Sequence, residues 1–380
     1  MPINSSIWCA TSSGAIHVFK LEKGEDEQYS IRQLASWEAH ENSGRITSMA
    51  FIHNHVWSCC ATDGKINIWD PFTHQLIHSL TPFNAPKIGP TKLLVFKKGN
   101  IQYVWVACSF SGSFTIYKII QSPSTSTPTS SITSTSSSHS SSSFSTDPPK
   151  YLEFLKYLEF KQLIGMTGLA YHRNLIWVAV SGQIFFINTN TYEVIGCFEA
   201  HNTGRMPMIL ESIGDNVWSS TLSELKIWNF NFDTGGELQL LRQVSLGDSK
   251  FECFLPTPDL SIAYSGSFSG EVVMWDVPNV VPLQEVVPTT YSIKSLCLDH
   301  HNDSLQLGTD NSFIWCSTSR REIFVFHSQK LHPPIPNDMK MKTNRRKPKL
   351  AETDGSKHTF EEVVRRLALP LLQQQKTSSM

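Results

Sequence analysis

The sequence has few charged residues and no long apolar run. Only 17% of its 380 residues are Asp, Glu, Lys or Arg. No stretch approaches the roughly 18 consecutive apolar residues that a membrane-spanning helix needs. The first residues, MPINSSIW, lack the basic and apolar regions of a secretory signal peptide. We therefore expect a soluble, cytoplasmic protein without membrane insertion.

The formal net charge is also close to zero: -1, from 32 Lys and Arg against 33 Asp and Glu. A chain without a strong field of its own is not drawn to polyanions, so nucleic acid is not the expected partner. The charge is uneven, however. Residues 331–380 hold 10 basic and 5 acidic side chains, a net charge of +5, which leaves -6 for residues 1–330. A nuclear location or nucleic-acid contact would depend on this tail.

Signatures of catalysis and of metal binding are missing as well. The eight cysteines form no CxxC pair and have no histidine at zinc-finger spacing, so they are expected to be reduced core residues. The sequence contains no phosphate-binding loop, GxSxG elbow, HExxH pair or kinase motif set. Residues 223–226 fit SxxK, but they span a predicted hairpin turn and lack the companion motifs. We expect no enzyme, no metal, no cofactor and no small-molecule substrate.

What the sequence does contain is seven copies of one pattern: a short apolar strand, a turn of small residues, and a second alternating strand. The copies lie near residues 7–19, 56–70, 104–117, 176–188, 217–229, 262–276 and 314–326. An aromatic residue recurs in the first strand of each copy: Trp8, Trp57, Trp105, Trp177, Trp218, Tyr264 and Trp315. A period of roughly 40–50 residues built from short strands predicts the blades of a β-propeller rather than a helical solenoid.

The second copy shows the expected structure of one blade. Ile46–Ile52 alternates as a strand, Val56–Ala61 forms the next, and Asp63-Gly64 supplies a tight hairpin before Lys65–Asp70. A fourth, outer strand follows at His74–Leu80. Four strands with two apolar faces are not stable alone in water. Such sheets are therefore expected to stack against one another around a closed ring.

These repeats resemble the WD40-repeat family over about residues 1–330. Trp69-Asp70 and Trp275-Asp276 match its terminal Trp-Asp dipeptide, and Trp228-Asn229 is a near match. Glu-Ala-His at 38–40 and again at 199–201 fits its Gly-His site, with Ala in place of Gly. The resemblance implies an all-β, seven-bladed WD40-type propeller with buried networks of His, Asp and Trp. The residues that it assigns to these structural networks are His40, Asp63, Trp69, Asp70, His201, Trp228, Trp275 and Asp276.

The first blade is expected to be incomplete. The inner strand of the second copy begins 11 residues before Trp57, whereas only seven residues precede Trp8. No good outer strand follows Phe326 either, because the sequence soon becomes rich in proline. One interpretation is that the chain is the carboxy-terminal piece of a longer protein; the other is a slightly open ring or a degenerate strand. A native protein no larger than this chain would argue against the first.

A serine- and threonine-rich insertion at residues 121–148 interrupts the third blade. Of residues 121–146, 20 of 26 are Ser or Thr. A segment with so little apolar content cannot offset its ordering entropy, so we expect a disordered loop between the third and fourth strands. Ser122-Pro123 and Thr127-Pro128 are potential sites of proline-directed phosphorylation. The alternative is a neutral low-complexity expansion.

The tail beyond residue 330 divides into a Pro/Lys/Arg-rich linker at 331–357, an amphipathic helix at 358–372 and a disordered end at 373–380. The linker carries a candidate basic patch for nuclear import or an anionic contact, although such runs also arise by chance. Its members are Lys340, Lys342, Arg345, Arg346, Lys347 and Lys349. The helix carries one apolar stripe, which would pack either on the propeller or on a partner. The stripe consists of Phe360, Val363, Val364, Leu367 and Leu371.

Two loops are near copies of each other: Glu38–Arg45 and Glu199–Arg205. In the architecture implied by the resemblance, both lie on the top face around the central channel. Arg45 and Arg205 are therefore candidate partner-binding residues, suited to a carboxylate or phosphate. The alternative is that they are ordinary turn residues.

Taken together, these features favour a non-enzymatic scaffold for protein–protein interactions that binds other proteins through its rim and top face. A first alternative is a regulatory propeller from a larger signalling protein, such as a kinase, a Rho-type exchange factor or an inositol-phosphate phosphatase. A second is a nuclear or nucleic-acid-associated WD40 protein that acts through its basic tail. Nothing in the sequence identifies the partner proteins.

Overall fold

The computed structural model describes residues 1–3, 6–24, 29–41, 44–83, 89–120, 149–201, 208–221, 224–231, 237–245, 250–300, 312–320, 322–327, 350–351 and 357–358. Within these ranges the chain forms seven antiparallel sheets, each built from consecutive strands. The predicted repeat units correspond to these sheets, which we call blades 1 to 7.

The first four blades contain four strands each. Blade 1 consists of β1 (Pro2–Ile3), β2 (Ser6–Ala10), β3 (Ala15–Lys23) and β4 (Tyr29–Glu38). Blade 2 consists of β5 (Ile46–Ile52), β6 (His55–Cys60), β7 (Ile66–Trp69) and β8 (Leu76–Leu80). Blade 3 consists of β9 (Lys92–Lys98), β10 (Ile101–Cys108), β11 (Ser113–Ile119) and β12 (Leu152–Glu159). Blade 4 consists of β13 (Gly168–His172), β14 (Leu175–Val180), β15 (Gln183–Asn188) and β16 (Val194–Glu199).

The last three blades follow the same plan with two variations. Blade 5 consists of β17 (Ile209–Ile213), β18 (Asn216–Ser220), β19 (Glu224–Asn231) and β20 (Glu237–Ser245), and two short tail strands extend its outer edge. Blade 6 consists of β21 (Phe251–Pro256), β22 (Ile262–Ser267), β23 (Val272–Asp276) and β24 (Val281–Val286). Blade 7 has three strands in the described residues: β25 (Ile293–His300), β26 (Ser312–Thr318) and β27 (Ile323–His327). The tail strands are β28 (Leu350–Ala351) and β29 (Lys357–His358).

The seven blades form a closed ring. The first strands of neighbouring blades contact each other in succession, from β5 with β9 round to β21 with β25. Contacts of β1 with β25 and of β2 with β5 connect blade 1 to both of its neighbours. The predicted all-β, seven-bladed propeller is therefore confirmed.

The hydrophobic core is divided into seven layers, each lying between two adjacent blades. The recurrent aromatic residues lie in these layers, and Trp57, Trp177 and Trp218 are completely buried. In the described residues, the layer between blades 7 and 1 is the smallest. Its buried residues in the described part of the chain are Ile7, Leu21, Phe313 and Trp315.

The first blade is incomplete, as predicted, but its inner strand is shortened rather than missing. Pro2 and Ile3 pair with Ile7 and Ser6 in a two-residue ladder. β2 also contacts β5 of blade 2, as the second strands β14 and β22 contact the first strands of the blades that follow them. The Ser/Thr-rich residues 121–148 lie outside the described residues; their flanks are the third and fourth strands of blade 3, β11 and β12.

Most of the tail also lies outside the described residues, including the apolar stripe and the basic patch. Two short pieces are described. Leu350–Ala351, inside the range expected to be a linker, pairs with Gln243 and Val244 of β20. Lys357–His358 pairs with the same strand, so His358, expected to begin a helix, is extended.

Antiparallel pairing gives the ring two distinct faces. The hairpins between second and third strands lie on the same side as the connections from one blade to the next. We call this side the upper face, and the opposite side the lower face. The Asp63-Gly64 hairpin belongs to the upper face, and Gly64 has a φ of 74°, which a glycine adopts without strain. Topology alone therefore places Asp63 near the connection that carries His40.

Candidate interaction site on the upper face

A buried hydrogen-bond network joins the connection between blades 1 and 2 to the hairpin of blade 2. Nδ1 of His40 lies 2.8 Å from Oδ2 of Asp63, and Nε2 lies 2.8 Å from Oγ of Ser58. The indole N–H of Trp69 donates to the same serine oxygen at 2.9 Å. Since a carboxylate can only accept, Nδ1 of His40 carries the proton that is donated to Asp63. The structure thus brings together His40, Asp63 and Trp69, with Ser58 as the link.

The same arrangement recurs in blade 5. Nδ1 of His201 lies 2.7 Å from Oε1 of Glu224, and Nε2 lies 2.7 Å from Oγ of Ser219. The Trp228 indole N–H donates to Ser219 at 2.7 Å. Glu224 has further partners: the Nζ atom of Lys226 at 3.1 Å and the amide of Gln243 at 2.7 Å. A glutamate therefore takes the part that Asp63 plays in blade 2.

The two networks hold their acids ionised. Burial of the Asp63 carboxyl opposes ionisation, but hydrogen bonds from His40 and from the Lys65 amide outweigh it and lower the pKa. The pKa of Glu224 is likewise lowered by His201 and Lys226 against the cost of burial. Burial lowers the pKa of His201, so its ring is neutral near neutral pH and Nε2 accepts the hydroxyl proton of Ser219.

Blade 6 keeps only part of this network. The Trp275 indole donates to Oγ of Ser265 at 2.8 Å, and no histidine joins them within the described residues. Asp70 and Asp276 belong to neither network. Each instead accepts backbone N–H groups of its own turn on the lower face: Asp70 from Phe72 and Thr73, and Asp276 from Asn279.

The sequence analysis missed the three serines, although the sequence holds a signal for them. Ser58, Ser219 and Ser265 each follow the recurrent aromatic residue directly, as in Trp57-Ser58. In the three blades that have these serines, the third strand contains a tryptophan; the other four blades have Cys or Val after the aromatic residue and no such tryptophan. Glu224 belongs to the four residues that fit SxxK, and this pattern does not indicate a structural role beside His201.

His40, Cys60 and Asp63 also come close enough to form a possible metal-binding group. Their ligand atoms all lie within 4.8 Å of one another. However, both ring nitrogens of His40 are within hydrogen-bond distance of protein partners, and Asp63 also accepts the Lys65 amide at 2.9 Å. Burial raises the pKa of the Cys60 thiol, which disfavours the thiolate that a metal would require. The arrangement suits a structural network.

A second cluster on the upper face is partly exposed and combines cations with aromatic rings. Glu252 lies between two lysines, with 2.9 Å from Nζ of Lys250 to one carboxylate oxygen and 3.4 Å from Nζ of Lys294 to the other. Both ammonium groups also lie over the ring of Phe268, at 6.0 Å and 5.7 Å from its centroid. Phe268 is 57% exposed. In the neighbouring blade, Arg320 lies 4.2 Å from the ring centroid of Tyr291.

We call these six residues the upper basic–aromatic patch: Lys250, Glu252, Phe268, Tyr291, Lys294 and Arg320. They come from the hairpins of blades 6 and 7, from the connections that enter these blades and from the first strands that follow. Backbone hydrogen bonds join these loops. The Phe268 amide donates to the Lys250 carbonyl at 2.6 Å, and the Ser319 amide donates to the Ser292 carbonyl at 2.8 Å.

The other predicted binding residues are distributed differently. Arg45 is exposed immediately before β5 on the upper face. Its counterpart Arg205 lies outside the described residues, as do the six basic residues and five apolar stripe residues of the tail. The structure therefore places only Arg45 among these candidates, and it belongs to blade 2, away from the patch on blades 6 and 7.

Two charged residues on first strands have shifted pKa values. Burial raises the pKa of Glu211 in β17 to about 7, and the charge of Lys92 in β9 partly opposes this rise. Burial also lowers the pKa of Lys92, against the effect of Glu211. These first strands surround the axis of the ring, so the two charges belong to its innermost layer.

Comparisons with known proteins identify a fold and no family. No family model matches the chain, and no curated protein matches it. Solved structures do match. The computationally designed Ika8 protein aligns with 86% of this chain and 94% of its own, at 17% identity and a TM-score of 0.51. The β-propeller domain of Myceliophteria thermophila Cps50 (Swd1) aligns over 85% and 93%, at 10% identity and a TM-score of 0.54. No helix in the described residues has the length and apolar character to cross a membrane.

Proposed function

We propose that this chain is a non-enzymatic interaction scaffold that binds an acidic segment of another protein through the upper basic–aromatic patch. The observation that carries the proposal is the exposed ring of Phe268 beneath two ammonium groups, on loops that are tied to one another. An exposed aromatic residue with adjacent cations is a typical anchor of protein interfaces.

The charge of the patch supports an acidic partner. Lys250, Lys294 and Arg320 supply three positive charges, and Glu252 supplies one negative charge. Two further acids lie in the same hairpins: Glu322, which is exposed beside Arg320, and Glu271, which is buried and accepts a hydrogen bond from Ser267. The positive charge of the patch is therefore local to its exposed rim. A carboxylate from a partner would bind Lys294 and Arg320 at the rim of the aromatic surface, where the charges are accessible.

The close packing of the Gly270 hairpin against the loop that contains Thr289 supports a preformed site. Added to the α-carbon of Gly270, a β-carbon would lie 2.1 Å from the Thr289 carbonyl oxygen, so the two loops are in close contact. Contacts of this kind, made without a ligand, reduce the free energy that a ligand must supply to order the two loops.

Paired variants test this function. We would purify partners from cells with the intact chain, with F268A/R320E, and with F72A/R32E as control. Phe72 is 73% exposed on the lower face and Arg32 is exposed on β4, so the control changes the same residue types elsewhere. We expect partners to be lost from the patch variant, to be retained by the control, and to elute from the intact chain at about 0.5 M salt. Identical partner lists for the three chains would refute the proposal.

We further propose that the propeller is a divergent member of the WD40-repeat family. The support is the recurrence of the His–acid–Ser–Trp arrangement in two blades, at positions matching the Trp-Asp and Gly-His motifs. A crystal structure in which His40 and Asp63 do not meet would remove this support.

A further inference from the structure

Blade 7 differs from the other blades at its outer edge. In the described residues, each of the other six sheets has a fourth strand beside its third, whereas β27 has a paired strand only on its inner side. The outward N–H and C=O groups of β27 therefore form an edge to which another strand could be added. The strand reads Ile-Phe-Val-Phe-His and contains no lysine or proline that would hinder such pairing.

The side chains of the third strand are also less buried in blade 7 than in blade 2. In blade 2 the third-strand residues Ile66 and Ile68 are completely buried. In β27, Ile323 and Val325 pack toward blade 1 but remain partly exposed. The layer that contains them is also the smallest of the seven in the described residues. Among the described residues, the side chains of this third strand are therefore less completely covered than those of β7.

The neighbouring blade presents apolar surface at the same place. Residues that pair across two strands share a face, and Ile31 of β4 pairs with Leu21, which lies in the layer between blades 7 and 1. Ile31 is nevertheless 44% exposed. Elsewhere in the ring the outer strands of adjacent blades share a layer, as Leu80 of β8 and Leu152 of β12 do. A fourth strand on blade 7 would cover Ile31 in the same way.

We propose that the outer edge of β27 binds an extended segment of a partner chain as a fourth antiparallel strand. The segment would have five or six residues with apolar side chains at alternating positions, as in the fourth strands of the other blades. It would contain no proline at positions that must donate an N–H. This rim interface is separate from the upper basic–aromatic patch and does not depend on it.

The chain that follows β27 is a poor candidate for the same position. It contains Pro333, Pro334 and Pro336, none of which has an N–H to donate. The next described residues, Leu350 and Ala351, are paired with β20 of blade 5. The segment is therefore assigned to another polypeptide, and occupation by this chain's own residues is one outcome of the test.

Hydrogen exchange of the full chain measures whether the edge is open. We expect the amides of β27 to exchange at least about tenfold faster than those of β23, the third strand of the complete blade 6. The probe is a synthetic peptide of residues 73–82, the outer strand of blade 2, and its control is the same peptide with Ile77→Pro. The first peptide should slow exchange in β27, and the proline peptide should not.

The variant Ile31→Arg tests where the strand binds, because a fourth strand on blade 7 would cover this side chain. Ile31 is partly exposed, so the substitution can be made without unfolding the blade. We expect an unchanged melting temperature and loss of the peptide's effect on β27. Three results would overturn the proposal: β27 protected as well as β23 in the chain alone, no peptide effect at millimolar concentration, or an undiminished effect in the Ile31→Arg variant.

Discussion

His201 donates a hydrogen bond to Glu224 at 2.7 Å, in the place where blade 2 has His40 and Asp63. The two networks are built from a different acid but have the same histidine, serine and tryptophan. The longer glutamate side chain is compatible with this geometry because Lys226 and Gln243 hold its two oxygens. What the fold maintains is a carboxylate beside the histidine, and either acid can provide it.

Removal of the linking serine should destabilise blade 2 more than the corresponding change in blade 6. Ser58→Ala leaves Nε2 of His40 and the Trp69 indole N–H without their shared partner, whereas Ser265→Ala affects only the Trp275 indole. We expect losses of about 2–4 kcal/mol and about 1–2 kcal/mol in the free energy of unfolding, respectively. Urea denaturation of both variants provides the measurement. Equal losses would show that the histidine contributes nothing through Ser58.

Buried His172 should make the protein sensitive to mild acid. Burial and the neighbouring Arg173 lower its pKa to about 4, from an ordinary value of 6.5. The unfolded chain therefore binds this proton first as the pH falls, and the native state loses stability between about pH 6.5 and pH 4. His172→Gln should weaken this pH dependence in denaturant titrations. Ser212→Ala removes the hydrogen-bond partner at 3.0 Å but keeps the histidine, and should retain it.

Glu211 should have the opposite effect on the pH dependence of stability from that of His172. Its pKa is raised to about 7, so the unfolded chain releases this proton first and the native state loses stability as the pH rises from about 4.5 to about 7. Glu211→Gln should be about 1–3 kcal/mol more stable than the native sequence at pH 8, and similar to it at pH 4. The double variant K92M/E211Q removes both charges and should be at least as stable. A destabilised E211Q at pH 8 would show that Lys92 requires the carboxylate.

A side chain at Gly270 should destabilise the protein. Its φ is +90°, and a β-carbon would meet the Thr289 carbonyl oxygen at 2.1 Å. Gly165 is the matched control, because its φ is +83° but nothing lies within 4 Å of the added carbon. We expect Gly165→Ala to cost about 1 kcal/mol, from the backbone conformation alone, and Gly270→Ala about 2 kcal/mol or more. Thermal unfolding separates the two, and equal shifts would mean that the two loops are not in close contact.

The sequence alone was sufficient for the number and order of the blades. Recurrent aromatic residues such as Trp57 and Trp177 must be buried, and alternating strands at this spacing can bury both faces only by stacking in a ring. The meeting of His40 with Asp63 was also expected, as part of the network that the resemblance to WD40 repeats implies. The fold shows why it forms: one residue is in the connection between blades and the other is in a hairpin at the same end of the sheet.

Only the tertiary structure determined the assembly of the candidate binding surfaces. Lys250, Phe268 and Arg320 are separated by 18 and 52 residues along the chain, and no local pattern relates them; the packing of blade 6 against blade 7 makes them neighbours. The pairing of β27 likewise depends on the assembled sheet: in the described residues, only β26 pairs with it. A local pattern specifies which face of a strand is apolar, but the partner of each face and edge depends on the closure of the whole ring.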